Sequence, residues 1–305
     1  MDPRSAAVSA GRALGNLVRN SGQRIRDVCS AYLRYVLDQR SASPVEEENM
    51  AIVRAPQVRL ESLAESGLPF GADDIRDAVT IAADSKSPDV AQAGFIAGVP
   101  RGNARSRYVL VGSQAHLERY TSEDGHRKVN AFLDRLGQTQ TFFFDRDGMV
   151  GTTSGLQATV AYNGQLGKMC IYFAGTDLLD PHRRLQSLCA DVGIVSGSIS
   201  PMFTEAVELV RLAVLVFGRD SVMLCGHSLG GSIVQFVSAS IGIPGIAMNS
   251  APINQSWILD LPSEKLRYAQ KNGCQVSVEG DIFDSASRFA SYMGLGCIQL
   301  FKKTI

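Results

Sequence analysis

A serine stands midway between two glycines in Gly226-His227-Ser228-Leu229-Gly230. This is the G-x-S-x-G spacing of a sharp strand-to-helix turn that presents a serine hydroxyl as a nucleophile. The chemistry explains the residue types. A hydroxyl attacks poorly at neutral pH unless a base takes its proton. The charge that develops on the attacked oxygen needs donors already in place. Glycines two residues to either side remove Cβ atoms where the backbone doubles back on itself. A helix opening at the serine aims its free N–H groups and positive dipole end at the developing charge. The five-residue pattern recurs by chance, so its context decides, and here it lies between a short apolar run and a helical pattern.

The elements that would position this serine follow from periodicity and turn chemistry. Residues 222–225 read as a short apolar strand, and a helix runs from the glycine-rich turn to about Ser240. Upstream, residues 156–162 and 168–174 are strand-like and joined by Asn163-Gly164-Gln165-Leu166-Gly167, a hairpin loop with two glycines. A helix is expected over 201–217, with Ser200 as N-cap, Pro201 at its first position and Gly218 just past its end. Residues 245–248 and 274–278 read as further buried strands. Strands alternating with helices predict an α/β fold with a mostly parallel sheet and helices on both faces. From about residue 55 to 150 the pattern is helical with turns, including an amphipathic run that opens at Asp73 and Asp74. No spacing there points to catalysis.

Composition bounds the rest. The chain has 305 residues, 45% hydrophobic and 20% charged, which is enough for one large domain and excludes wholesale disorder. Thirty basic residues balance thirty acidic ones, so no general attraction to nucleic acid is expected. No run approaches the roughly 18 apolar residues of a membrane span, and the chain reads as soluble. Its six cysteines form no CxxC pair and its four histidines are scattered, which predicts reduced thiols, no metal site and no cofactor. Residues 1–50 stand apart as a helical N-terminal leader or flexible extension, and residues 51–305 are expected to form one α/β domain. Within the first forty residues there are seven Arg and no Lys, and Ile25, Val28, Cys29, Tyr32 and Val36 recur at helical spacing. An Arg- and Ser-rich leader without the apolar core of a cleavable secretory signal suits a transit peptide, a secreted-effector leader, or a tail packed on the domain.

Phe173-Ala174-Gly175-Thr176-Asp177, Asp191, Ile199-Ser200-Pro201, Gly226–Gly231 and Asn249-Ser250-Ala251-Pro252 together resemble the class 3 (fungal-type) lipase domain of the α/β-hydrolase superfamily, over roughly residues 150–285. One departure is Ala174, where that family usually carries Arg. The resemblance implies an α/β-hydrolase-type fold and a lipase or carboxylesterase activity that passes through an acyl-enzyme. Ser228 would be the nucleophile, with Thr176 and the N–H of Leu229 forming the oxyanion hole. Asp281, after the strand 274–278, would be the acid that orients the base. Asp284 and Asp260 are weaker substitutes. The implied partners are an ester or lipid substrate, with room for peripheral membrane contact and none for nucleic acid.

The base is the difficulty. On this fold the order is Ser, acid, His, yet no histidine follows Asp281. His227 belongs to the turn itself and reads as structural. His116 and His126 read as surface residues. His182 follows Thr176 in the loop 177–184 and is the one candidate placed to approach the serine. The rival expectation is therefore a catalytically weak or inactive hydrolase fold that binds or scaffolds. Ser256–Pro262, which holds the sole Trp, reads either as a flap over an apolar pocket or as ordinary packing.

Overall fold

Loop length settles which strands run antiparallel. The computed structural model describes residues 59–60, 108–111, 121–144, 149–175, 199–248, 250, 253, 257–259, 261–278 and 297–301. Strands β3 (Phe142–Phe144), β4 (Met149–Thr152), β5 (Gln157–Asn163) and β6 (Lys168–Phe173) follow one another with four residues of chain between each pair. A parallel return needs about a dozen residues or more, so these four pair antiparallel in sequence order. From β6 to β9 the connections contain helices. Strands β7 (Val222–His227), β8 (Gly245–Met248), β9 (Gly273–Val278) and β10 (Cys297–Phe301) add in parallel, followed by β1 (Arg59–Leu60) at the edge. Strand β2 (Val109–Leu110) pairs antiparallel with β5. The sheet order is β1-β10-β9-β8-β7-β6-β5-β4-β3, with five parallel ladders and four antiparallel ones among the described residues. The protein has an α/β fold of the α/β-hydrolase type.

Helix α1 (Glu123–Gln138) precedes β3, α2 (Pro201–Phe217) links β6 to β7, α3 (Leu229–Ile241) links β7 to β8, and α4 (Ser263–Asn272) links β8 to β9. Each of the last three crossovers steps one strand in the same direction, so right-handed connections stack their helices side by side. The helices accordingly touch in the order α1, α2, α3, α4. Each has a local reason to form. Ser122 caps α1 by accepting a hydrogen bond from the Gly125 N–H, and Glu123 and Asp124 complement its N-terminal dipole. Val129, Phe132 and Leu136 make its buried stripe. Pro201 opens α2 and Gly218, at φ 83°, ends it as its spacing predicts, although the Ser200 side chain makes no capping hydrogen bond. In the β5–β6 hairpin, Asn163 Oδ1 accepts from the N–H groups of Gln165 and Leu166, and Gly167 takes φ 63°.

One sequence reading is revised, and another that stood open is decided. The stretch 55–150, read as helical with turns, also contributes β1, β2, β3 and the start of β4. Strands of two to four residues are too short to show alternation. Trp257 is core, not the tip of a flap. It is buried, and its ring lies 4.9 Å from Phe203 of α2 and 6.0 Å from Phe236 of α3, edge to face. Such pairs add about 0.5–1.5 kcal/mol each beyond the area they bury, so the segment after β8 is anchored across two helices. Cys170 and Cys225 are buried and not joined as a disulfide, with sulfurs 3.3 Å apart on adjacent strands. Among the described residues no helix is long and apolar enough to cross a membrane. The leader 1–50 and the run opening at Asp73 lie outside the described residues.

Candidate active site

Ser228 occupies the single step between β7 and α3, and the backbone there is strained. Its φ is 55° and its ψ −122°, and it is the one non-glycine with positive φ among the described residues. A side chain in such a conformation costs on the order of 1–3 kcal/mol and persists only where its surroundings over-determine it. Those surroundings are dense. Within residues 222–243 every residue is buried except Ser228, which is half-buried. The chain thus runs through the core as strand, surfaces for one serine, and returns to the core as helix.

Three glycines make the turn possible, each for a different reason. A Cβ on Gly226 would strike the Gly230 carbonyl, since the strand end and the first helical turn fold against each other. A Cβ on Gly230 would strike the carbonyl oxygens of Phe173 and Ala174, because α3 starts directly against the end of β6. A Cβ on Gly231 would come within 2.5 Å of Ser250 Cβ, just beyond β8. Backbone hydrogen bonds complete the clamp. The Ser228 N–H donates to the Met248 carbonyl at 3.0 Å, and the Ser232 N–H to the Ser228 carbonyl at 3.2 Å. Ser250, fully buried, accepts from Gln235 Nε2 at 2.6 Å, which ties the exit of β8 to the second turn of α3.

Chemically, this arrangement leaves the first N–H groups of α3 without acceptors inside the helix. Leu229, the residue after Ser228, holds the first of them. Leu229 itself is buried, so its N–H lies in a region of low dielectric where a dipole acts strongly on a nearby charge. The end of β6 lies against the same turn through Gly230, and Ala174 is held to β5 by its N–H donating to the Gln157 carbonyl at 3.0 Å.

The other expected site residues divide sharply. Thr176, two residues past Ala174, lies outside the described residues, as do Asp281, Asp284 and Asp260. His116 and His182 do so as well. Of the two described histidines, His227 is buried within β7 and His126 sits on α1, whose neighbours are α2 and β3. Sequence reasoning missed Met248, Ser250 and Gln235 as supports of the turn. All three act across distances in sequence that no local motif records.

No protein-family model matches the chain, and no curated protein matches it in sequence. Among solved structures it is similar to the extracellular lipase LipA from Serratia marcescens, at 15% identity and a TM-score of 0.37 over 79% of this chain and 40% of that one. It is also similar to a triacylglycerol lipase from Penicillium expansum, at 14% identity and a TM-score of 0.32 over 64% of this chain and 81% of that one. The chain therefore spans less than half the length of the Serratia enzyme. The fold assignment stands on the strand order and crossovers described above.

Proposed function

We propose that the protein is a serine hydrolase of the lipase or carboxylesterase type, with Ser228 as nucleophile. The observation that carries this reading is the strained, half-buried Ser228 in an otherwise buried run from β7 through α3. A conformation that costs stability and presents one hydroxyl has little structural value of its own. In this reading Ser228 Oγ attacks the carbonyl carbon of an ester, and the alkoxide product leaves with a proton from the base. Water then releases the acid from the acyl-enzyme. The Leu229 N–H and Thr176 stabilise the oxyanion, and removing one such donor typically costs about 10²–10³ in rate. Asp281 orients the base. The substrate class is a carboxylic ester, with lipid esters included by the resemblance to class 3 lipases. Residues 1–50 act as a leader outside the catalytic domain.

One observation favours a second reading. Neither described histidine is placed to serve Ser228, since His227 is part of the buried strand and His126 lies on the far helix. A hydrolase fold that serves as a binding or scaffold protein and turns esters over weakly or not at all would fit this placement. Losing one member of a triad leaves a residual acceleration of about 10³–10⁴ over water.

Fluorophosphonate labelling of the full chain, with mass spectrometry to locate the adduct, tests the first reading directly. Labelling at Ser228 together with turnover of a p-nitrophenyl ester that disappears in Ser228→Ala supports it. A chain that neither labels nor turns over supports the second. Turnover in the native chain and His182→Ala then shows whether His182 is the base.

A further inference from the structure

The second turn of α2 carries a carboxylate, Glu205, that is linked to the turn at Ser228 through the β4–β5 turn and the end of β6. Glu205 Oε2 accepts from Thr152 Oγ1, at the end of β4, at 2.6 Å and from Ser154 Oγ, in the turn between β4 and β5. The two hydroxyl oxygens are themselves 2.9 Å apart. Each hydroxyl has one proton and a carboxylate has none to give, so both protons are best used on Glu205. The two alcohols are thereby drawn together on one oxygen. Thr152 is buried and also accepts from the Leu156 N–H at 3.2 Å, while its own N–H donates to the Leu156 carbonyl at 3.1 Å. The turn is thus closed on Thr152 and pinned to α2 at the same atom.

The next residue, Gln157, carries the consequence to the end of β6. Its carbonyl accepts from the Ala174 N–H, just past the end of β6. The carbonyls of Phe173 and Ala174 in turn lie against Gly230, at van der Waals limits that leave no room even for a methyl group. We propose that Glu205 is a positioning residue. By holding the β4–β5 turn, it fixes the end of β6 against the first turn of α3, and so steadies the turn that presents Ser228 and the Leu229 N–H. This rests on the reading of Ser228 as a nucleophile. The tether itself does not.

The chemistry predicts what each substitution does. Glu205→Ala leaves two hydroxyls without their shared acceptor, and Thr152→Val removes one hydroxyl at constant shape. Glu205→Gln offers an amide oxygen to the same two protons, and Thr152→Ser keeps the hydroxyl. A misplacement of about 1 Å costs catalysis about a hundredfold, and a loosened rather than displaced strand end should cost about tenfold. Full-length variants are compared for ester turnover, for thermal unfolding, and for amide hydrogen exchange at Ala174. The expected result is a fall of about tenfold in kcat for Glu205→Ala and Thr152→Val, with KM changed less than about twofold and faster exchange at Ala174. Glu205→Gln and Thr152→Ser should recover most of that loss, and serve in place of the harsher variants if those do not fold. Unchanged kcat, or a loss that tracks thermal unfolding and is no better in Thr152→Ser than in Thr152→Val, overturns the positioning role. Should the native chain neither hydrolyse esters nor label at Ser228, the hydrolase reading fails alone. Faster Ala174 exchange in Glu205→Ala would still support the tether, and unchanged exchange would overturn it.

Discussion

Replacing Ser228 by glycine and, separately, by alanine isolates the strain stored at the turn. Both changes delete the hydroxyl, and neither loses a helix cap, since the Ser228 side chain makes no capping hydrogen bond. They differ only in the Cβ. Alanine keeps the conflict between a side chain and φ 55°, ψ −122°, whereas glycine adopts that conformation without penalty. Removing the conflict returns about 1–3 kcal/mol. The greater freedom of glycine in the unfolded chain takes back about 0.5–1 kcal/mol. At the middle of both ranges Ser228→Gly should therefore be more stable than Ser228→Ala by about 1 kcal/mol. For a domain of this size each kcal/mol moves the melting temperature by about 2–4 °C, so the two variants should separate by about that much. Circular dichroism melts of the two proteins side by side measure it, with fluorophosphonate labelling expected in neither. A glycine variant that melts at or below the alanine variant would refute the reasoning, because the turn would then store no strain. Ser228→Ala should itself melt close to the native protein.

Gly230→Ala should destabilise by about 3 kcal/mol or more, because the added methyl meets the carbonyls of two residues held in the sheet and not a side chain that can swing away. Gly137→Ala, near the end of α1 with open space around its Cα, should instead stabilise by about 0.5 kcal/mol; chemical denaturation curves of the pair check both signs. Burial pushes the Tyr162 hydroxyl above the usual tyrosine range, while the Lys128 ammonium pulls it partly back. The folded state then holds that proton more tightly than the unfolded chain, so its contribution is complete below about pH 10 and fades as pH rises through the folded value. Tyr162→Phe should flatten the alkaline loss of stability, but only in part, since burial raises Tyr268 in the same direction; urea unfolding between about pH 8 and 11 gives the slopes.

The parts of the fold that were legible are those whose signal is local. The bounds of α2 follow from Pro201 and Gly218, and the β5–β6 hairpin follows from Asn163 and two glycines in five residues. Strand β7 and helix α3 follow from one glycine-rich turn between two apolar runs. The antiparallel flank was not legible. Phe142–Phe144 and Met149–Thr152 carry too few residues to show a period, and their identity as strands comes from partners elsewhere in the chain. Helix α4 was missed for a related reason, since only Leu266 and Ala269 of its ten residues are buried. Trp257 was open to two readings because an aromatic residue in a loop serves a flap and a core equally well until its neighbours are known.

The same distinction separates the nucleophile from its supports. A turn that must reverse a chain within one residue constrains the amino acids on either side of it, so it leaves a dense local signature at Gly226, Ser228, Gly230 and Gly231. What holds that turn in place does not. Met248 supports Ser228 through a carbonyl that any residue would supply, and Phe173 and Ala174 press on Gly230 through backbone alone. Backbone atoms carry no sequence information, yet they enforce the geometry at Ser228. Side-chain specificity returns one layer further out, at Gln235 with Ser250 and at Glu205 with Thr152 and Ser154, where hydroxyls and amides fix segments far apart in the chain. Substitutions at that outer layer can loosen the site without touching the motif that announces it.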